Sequence, residues 1–433
     1  MSELPNLVLI TIDSLRADHC GFMGYEKDTT PTLDRMAEEG VVFENAIAPA
    51  PSTPGSMSAV HTGKFLKQYY NDEDEVIVNR KRNIRRHLRD NPTISEVLQN
   101  RGYTTIGFSP NPFTSRYFGF QSGFDHYTDF LDTHGRVLGN AYDRLFRQFI
   151  SGHTQLTPFR LLLNYFEGEE IFKDWEEYYE GIMRQVTATS PPYFLWVFLL
   201  DTHLPYLLRR KYRDDVSWSD MWRYNLRLYF GNSDPFLPAE REQLLKLYDG
   251  TVRHVDRFVQ RLRSDLGDSD PIVFLHGDHG EAFGEHGTYG HEPYTYEENV
   301  HVPYVIINGR ESGRESEPVS LRRIGSDIGS YAGVRFPGEN SQHNTRGSIL
   351  TNPFGVRSAL RNGSWKFMWS TDPSTDRELY HLDSDPRETN NLADVDSNSV
   401  DDWERLARHR MSSEHEKYRI TEAIRSLRQK ATL

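Results

Sequence analysis

Pro271-Ile272-Val273-Phe274-Leu275 runs straight into His276-Gly277-Asp278-His279-Gly280-Glu281, with Gly284-Glu285-His286-Gly287 close behind. A short, unbroken apolar run reads as a strand buried on both faces. Strands of that kind belong to mainly parallel sheets covered by helices. Open α/β sheets place their sites at the carboxyl ends of such strands, which is where the acids and imidazoles fall. A carboxylate beside an imidazole, with glycines that let the backbone come close, is a ligand set for hard or borderline metal ions. The expectation is an α/β enzyme with a metal at its centre.

Similar apolar runs occur at Leu7–Ile12, Tyr103–Phe108, Tyr193–Leu200 and Val302–Ile307. Helical patterns lie between them, at Thr32–Glu39, Ile94–Arg101 and Glu240–Asp265. The last carries Leu244, Leu245, Tyr248, Val252, Val255, Phe258, Val259 and Leu262 at helical spacing. This alternation implies a doubly wound, mainly parallel sheet. Two aromatic and charged stretches, about 128–190 and about 208–238, interrupt the pattern and read as helical inserts of the sort that form lids. Towards the carboxyl end, Gly355–Asn362, Trp365–Ser370 and Glu378–Leu382 read as short strands and Asp401–Lys430 as a terminal helix. The expected division is a catalytic α/β domain over 1–345 and a small antiparallel α+β subdomain over 346–433.

With 24 Phe, 23 Tyr and 7 Trp in 433 residues, the chain can build a sizeable core, so disorder is not its default state. A formal net charge of −13 argues against nucleic acid as a partner. It permits an anionic substrate only where local cations or a metal offset the field. The single cysteine, Cys20, rules out an intrachain disulfide framework and a cysteine-based zinc cluster. Met1–Asn6 has neither a basic nor a long apolar segment, so no signal peptide is expected. The most apolar stretch, Tyr193–Leu208, includes Asp201, His203 and Pro205 and is too short and too polar to span a bilayer. A cytoplasmic protein without a transmembrane segment is expected; oligomeric state leaves no readable trace. The basic run Arg80-Lys81-Arg82 with Arg85-Arg86 reads as a solvated surface, or as a dock for a polyanion.

Three of the apolar strands end in ligand-type residues: at Asp13, at Asp201-Thr202-His203 and at Asp278-His279. One such ending means little, because a strand-end aspartate commonly caps the next helix. Three on parallel strands of one sheet would converge along one edge. The fourth piece is Pro49 to Gly63, where Thr53-Pro54 reads as a helix N-cap followed by proline and Gly63 as the carboxyl end. The same geometry places a hydroxyl in the positive field of a helix amino terminus, which stabilises an alkoxide and any anion attached to it. A neighbouring metal would lower its pKa further. Cap and nucleophile both remain open at this point.

Taken in order, these elements resemble the sulfatase family of the alkaline-phosphatase superfamily. They are Asp13 with Leu15-Arg16-Ala17-Asp18-His19, the helix ending Thr62-Gly63, His203-Leu204-Pro205-Tyr206, and Asp278-His279-Gly280-Glu281 continuing to Gly290-His291 and Tyr296-Glu297-Glu298. Glu378 to Asp383, Asp385-Pro386 and Glu388 to Ala393 are similar to that family's closing segment. The resemblance implies an alkaline-phosphatase-like core with one divalent metal ion (Zn, Mn, Mg or Ca) held by Asp13, Asp278, His279 and Thr53. It implies that His203 and His291 assist the transferred or leaving group, or hold a second metal. Arg16 is expected to orient Asp13. Ser109 and Asn111 stand where the family carries a lysine, and Asn111 is expected to support the ligands or touch substrate.

The departures set the expected chemistry. The family's nucleophile falls on Thr53, where true sulfatases carry a cysteine or serine, within a Cys/Ser-x-Pro-x-Arg pattern, that is oxidised to formylglycine. Here the run is Thr53-Pro54-Gly55-Ser56-Met57, without the oxidisable residue or the arginine, and the family's second aspartate after Asp13 is Ser14. A threonine looks like the superfamily's phosphodiesterases and phosphoryl-group transferases. A formylglycine hydrate expels sulfate by collapsing to an aldehyde, whereas a threonine ester needs a second nucleophile to attack it. The expected function is a metal-dependent hydrolase or transferase acting through Thr53 on a phosphate or sulfate ester, with phosphodiester or phosphoryl chemistry favoured. The substrate is expected to be an anionic ester on a glycan, lipid head group or small molecule. The alternatives are a true sulfuric ester hydrolase without formylglycine, and a catalytically inactive protein of the same fold that binds anionic glycans.

Overall fold

Leu7–Ile12 is buried at every residue and lies inside an eight-stranded sheet. The structure is a computed structural model and describes residues 4–67, 76–129, 174–229, 235–336, 348–371, 377–393 and 397–431. Across the sheet the strands run Gly313–Glu315, Val41–Phe43, Tyr304–Ile307, Ile272–Gly277, Leu7–Ile12, Tyr193–Leu199, Thr104–Ser109 and His126–Asp129. Side chains alternate across a strand, so neighbours in sequence feed opposite faces. Val8, Ile10 and Ile12 enter one apolar core with Val252, Val255, Phe258 and Leu262 of the long helix Pro238–Leu266. Leu7 and Leu9 enter the other, with Met57 and Val60 of the helix Thr53–Thr62. Each fully buried Leu, Ile, Val or Phe contributes about 1.5–3 kcal/mol, which is why both faces are covered and the runs are apolar throughout.

The register decides where the site forms. Ile12 lies opposite Leu199 on one side and Gly277 on the other, so Asp13 and Asp278 leave the sheet at the same level. All pairings from Ile272–Gly277 through to His126–Asp129 are parallel. The one reversal is Tyr304–Ile307, antiparallel to both of its neighbours. The single strand expected over Val302–Ile307 is in fact two. Pro303, which has no N–H to donate to a ladder, separates His301–Val302, paired with Ala46–Ile47, from Tyr304–Ile307 in the main sheet.

The expected helices form as Pro31–Glu38, Ile94–Arg101 and Pro238–Leu266. Within the two stretches read as inserts, the described residues hold the strand His126–Asp129 and the helices Trp175–Thr187 and Trp218–Tyr229; 130–173 and 230–234 lie outside the described residues. The closing part is a four-stranded antiparallel sheet, Ser348–Thr351, Arg357–Asn362, Trp365–Ser370 and Glu378–His381, backed by the helix Ser397–Ala431. The boundary expected at 345/346 falls in 337–347, outside the described residues. No helix among the described residues is long and apolar enough to cross a membrane.

Buried ion pairs lock the small sheet to the large one. Lys366 reaches Glu297 at 2.9 Å and Glu388 at 2.8 Å, and Arg361 reaches Glu297 at 2.6 Å. Glu297 opens the short helix Glu297–Val300, whose partner His286 stacks on Tyr296 and pairs with Glu298 at 2.7 Å.

Candidate active site

Asp13, Asp278 and His279 meet at the carboxyl edge of the two central strands, all fully buried, with one donor atom from each within 4.8 Å of the others. His279 Nε2 lies 3.6 Å from Asp13 Oδ1 and 3.6 Å from Asp278 Oδ2. His279 Nδ1 donates to the Gly280 carbonyl at 2.9 Å. A carbonyl can only accept, so the proton is fixed on Nδ1 and the Nε2 lone pair is left to the cluster. Gly280 can pass this close only without a side chain: a Cβ there would stand 2.1 Å from the Glu298 carbonyl oxygen.

Each carboxylate is held from behind. Asn111 Nδ2 donates to Asp13 Oδ2 at 2.7 Å, the Thr202 hydroxyl donates to the Asp13 carbonyl, and Ser14 Oγ stands 3.0 Å from Asp13 Oδ1. Asp278 Oδ1 accepts from the amides of Ser14 at 3.0 Å and His279 at 2.8 Å. Ser14 reaches it through a left-handed backbone, φ 54°, a conformation uncommon outside glycine. Asp278 Oδ2 has no hydrogen-bond partner among the described residues. An orphaned, fully buried carboxylate oxygen costs free energy unless a cation meets it. Burial raises Asp13, with Asp278 adding to the effect, and burial raises Asp278 to about 6. Burial also lowers His279 to about 4. Two carboxylates and a neutral imidazole converging on one point, with one oxygen unsatisfied, fit a divalent cation, and these three residues could hold it.

Thr53 joins them, its Oγ1 3.3 Å from His279 Nε2. The cap reading shifts by one residue. Ser52 is the N-cap, with φ −165° and ψ 149°, while Thr53 opens the helix Thr53–Thr62 and Gly63 closes it with φ 69°. Thr53 therefore sits in the first turn, where backbone amides point outward without intrahelical partners. The helix is pinned to the ligands by Ser56 Oγ, which donates to the Asp278 carbonyl at 2.6 Å. Met57, at the place of the family's arginine, is fully buried in the apolar core and brings no charge to the site.

Two more imidazoles line the cluster. The His291 ring is 4.4 Å from that of His279, and the His203 ring is 5.8 Å from that of His291. His203 Nδ1 donates to the Leu204 carbonyl at 2.6 Å, and His291 Nδ1 pairs with Glu281 Oε2 at 3.1 Å. Burial opposes a charge on His291, but Glu281 outweighs it and raises the imidazole to about 9. Glu281 is the buried link between the two halves, since its Oε2 also stands 3.2 Å from Ser14 Oγ.

Two expected placements are corrected. Arg16 does not touch Asp13; its guanidinium is taken up by Asp18 and Glu285, each at 2.7 Å, and by the Glu281 carbonyl at 3.0 Å. It braces the loop that carries Glu281. Asp201 does not join the cluster either. It turns to the amide of Trp175, at 3.1 Å, and to His254, leaving Thr202 and His203 to face the site. Ser14 as a double donor has no sequence signal, because a serine says nothing of its own φ.

A family model described as Sulfatase matches residues 5–334. The chain belongs to the sulfatase family. An arylsulfatase of Clostridium perfringens is 23% identical over 457 residues, covering 90% of this chain and 90% of that protein. An N-acetylglucosamine-6-O-sulfatase of Bacteroides thetaiotaomicron is 21% identical over 483 residues, covering 90% of this chain and 83% of its own length. Among solved structures, a phosphonate monoester hydrolase of Agrobacterium radiobacter superposes with a TM-score of 0.64 at 16% identity, over 94% of this chain and 96% of that one. As a sulfatase-family member the chain is an ester-hydrolase-type enzyme with the alkaline-phosphatase-like fold. The family generally uses a divalent metal.

Proposed function

We propose that this sulfatase-family enzyme is a metal-dependent hydrolase or transferase that acts on a phosphate or sulfate ester through Thr53, with phosphodiester or phosphoryl-group chemistry favoured. The observation that carries the reading is the placement of Thr53 Oγ1 in the first turn of a helix, 3.3 Å from His279 Nε2. A divalent ion held by Asp13, Asp278, His279 and Thr53 would act as a Lewis acid, favouring the alkoxide and the charge that develops on the transferred group.

The chain's own groups do the rest. Thr53 Oγ releases its proton to solvent water and forms the bond to phosphorus as the bond to the leaving oxygen breaks. The helix amino terminus favours the negative charge at both stages. Glu281 grips His291 through Nδ1, which keeps Nε2 as the nitrogen able to pass a proton to the leaving oxygen. His203 is held through Nδ1 by the Leu204 carbonyl, with its ring 5.8 Å from that of His291. Water or an acceptor alcohol then attacks the phosphothreonine and frees Thr53. That second attack is needed because a threonine ester has no route to an aldehyde. The substrate under this reading is an anionic ester on a glycan, a lipid head group or a small molecule.

A sulfate ester is the second reading, favoured by the arylsulfatase whose likeness extends over 90% of the chain. One panel tests both: phosphodiesters, phosphomonoesters and aryl sulfates, with and without chelator, for the wild type and Thr53→Ala. Phosphodiester turnover is expected, lost on chelation and lost in Thr53→Ala, which still binds metal. A clear preference for sulfate establishes the second reading. Full activity in Thr53→Ala refutes the nucleophile, and glycan binding that survives chelation with no turnover points to an inactive relative.

A further inference from the structure

Beside the active site, Asp174, Asp201 and His254 bring together one imidazole and two carboxylates with donor atoms within 4.8 Å of one another. His254 Nε2 lies 2.8 Å from Asp174 Oδ1 and 3.5 Å from Asp201 Oδ1. The first is a hydrogen bond; the second is the separation of neighbouring ligands around one ion, since metal–ligand distances near 2 Å at tetrahedral angles set donors roughly 3–3.5 Å apart. The three come from separate elements. Asp174 caps the helix Trp175–Thr187, Asp201 follows the strand Tyr193–Leu199, and His254 lies in the long helix Pro238–Leu266.

Two further features point to an ion rather than a simple pair. The Asp201 side chain is 4% exposed, and its Oδ2 has no hydrogen-bond partner among the described residues. His254 Nδ1 is buried and likewise unpartnered, and Nε2–H donates to the Asp174 carboxylate at 2.8 Å, so Nε2 becomes a ligand only once that proton has left. The rings of Trp175 and Tyr212 pack against His254 at 5.2 and 4.8 Å. Once that proton has left, the imidazole is neutral and the two carboxylates carry a double negative charge among aromatic walls, which a divalent cation balances.

We propose that Asp174, Asp201 and His254 form a second divalent-cation site, of the borderline N/O type suited to zinc or manganese. It would clamp two helices to the strand that ends beside the active site. Binding is a ligand exchange: the proton shared between His254 Nε2 and Asp174 leaves to solvent and the ion takes its place. The site is distinct from the Asp13 cluster, although Thr202, the residue after Asp201, donates its hydroxyl to the Asp13 carbonyl.

The test is metal stoichiometry of the full chain, stripped with a chelator and equilibrated in a zinc buffer. The wild type is expected to hold two zinc ions, Asp278→Asn one, Asp201→Asn one, and the double variant none. Zinc should raise the melting temperature of Asp278→Asn and leave that of the double variant unmoved. An Asp201→Asn chain that binds as much zinc as the wild type overturns the second site, as does an Asp278→Asn chain that binds none. Wild-type stoichiometry in Asp278→Asn would instead sink the ligand set proposed for the active site, so the two failures are distinguishable. If Asp201→Asn does not fold, Asp278→Asn decides on its own.

Discussion

Asn111→Ala isolates one hydrogen bond whose loss should be read directly in metal affinity. Asn111 Nδ2 donates to Asp13 Oδ2 at 2.7 Å, and both residues are buried. A hydrogen bond to a charged group contributes about 1.5–3 kcal/mol. At about 1.4 kcal/mol per tenfold, that is roughly 10- to 150-fold in affinity. Supporting partners of metal ligands independently suggest about 10- to 100-fold. The substitution also removes Asn111 Oδ1 from the amide of Phe113, which it accepts at 2.8 Å. That cap is worth about 1 kcal/mol, but it is present with and without metal and so cancels from the affinity. Competition with a chromophoric chelator measures the affinity, and urea denaturation of the metal-free protein measures the cap. Affinity within twofold of the wild type would refute the argument that Asn111 holds Asp13 for a cation.

Lys366→Met strands Glu388 in the seam between the sheets and leaves Glu297 to Arg361 alone, and should destabilise the protein by about 3–5 kcal/mol in urea; a change under about 1 kcal/mol would show that the seam is not held by this cation. Burial opposes a charge on His286, but Glu298 outweighs it and raises the imidazole to about 9, above its ordinary 6.5. A raised pKa in the folded state gives stability that is complete below 6.5 and disappears as pH rises through 9. Denaturation midpoints should fall across that window in the wild type and fall less in His286→Gln; parallel profiles would contradict the linkage. Gly280→Ala drives a Cβ to 2.1 Å from the Glu298 carbonyl and should cost about 1–3 kcal/mol while weakening metal binding. Unaltered stability and affinity would mean that the loop relaxes freely.

Much of this architecture was legible because its signals are short-range. Continuous apolar runs marked the buried strands, and carboxylates at their ends marked the edge that bears Asp13, Asp278 and His279. What escaped depends on contacts far apart in sequence. Val41–Phe43 is too short to stand out, and it becomes a strand because Tyr304–Ile307 and Gly313–Glu315 lie on either side of it. Pro303 divides an apolar run between two sheets, which a hydropathy pattern alone does not reveal. Arg16 lies close to Asp13 in sequence, yet the nearer acids Asp18 and Glu285 claim it. The helix Val76–Asp90 read as a charged surface, and yet Arg80 stands 3.6 Å from Glu292, the residue after His291. Ser14 supports both aspartates through a backbone twist that its side chain does not announce.

The reversed strand Tyr304–Ile307 has a bearing on how the site changes over time. Tyr304 lies opposite His276, and the Gly277 amide donates to the Pro303 carbonyl at 3.1 Å. The segment between, which bears Asp278, His279, Glu281 and His291, thus leaves and re-enters the sheet at adjacent rungs. It is a noose whose knot is part of the core. Lengthening such a noose raises its closure cost only logarithmically, about 0.6 kcal/mol per doubling. Residues can therefore be inserted at its far tip, beside the open Gly287, while Glu285 and His286 keep their partners and the ends that aim Asp278 and His279 stay put. A lineage could reshape what this rim contacts without redesigning the centre beneath it.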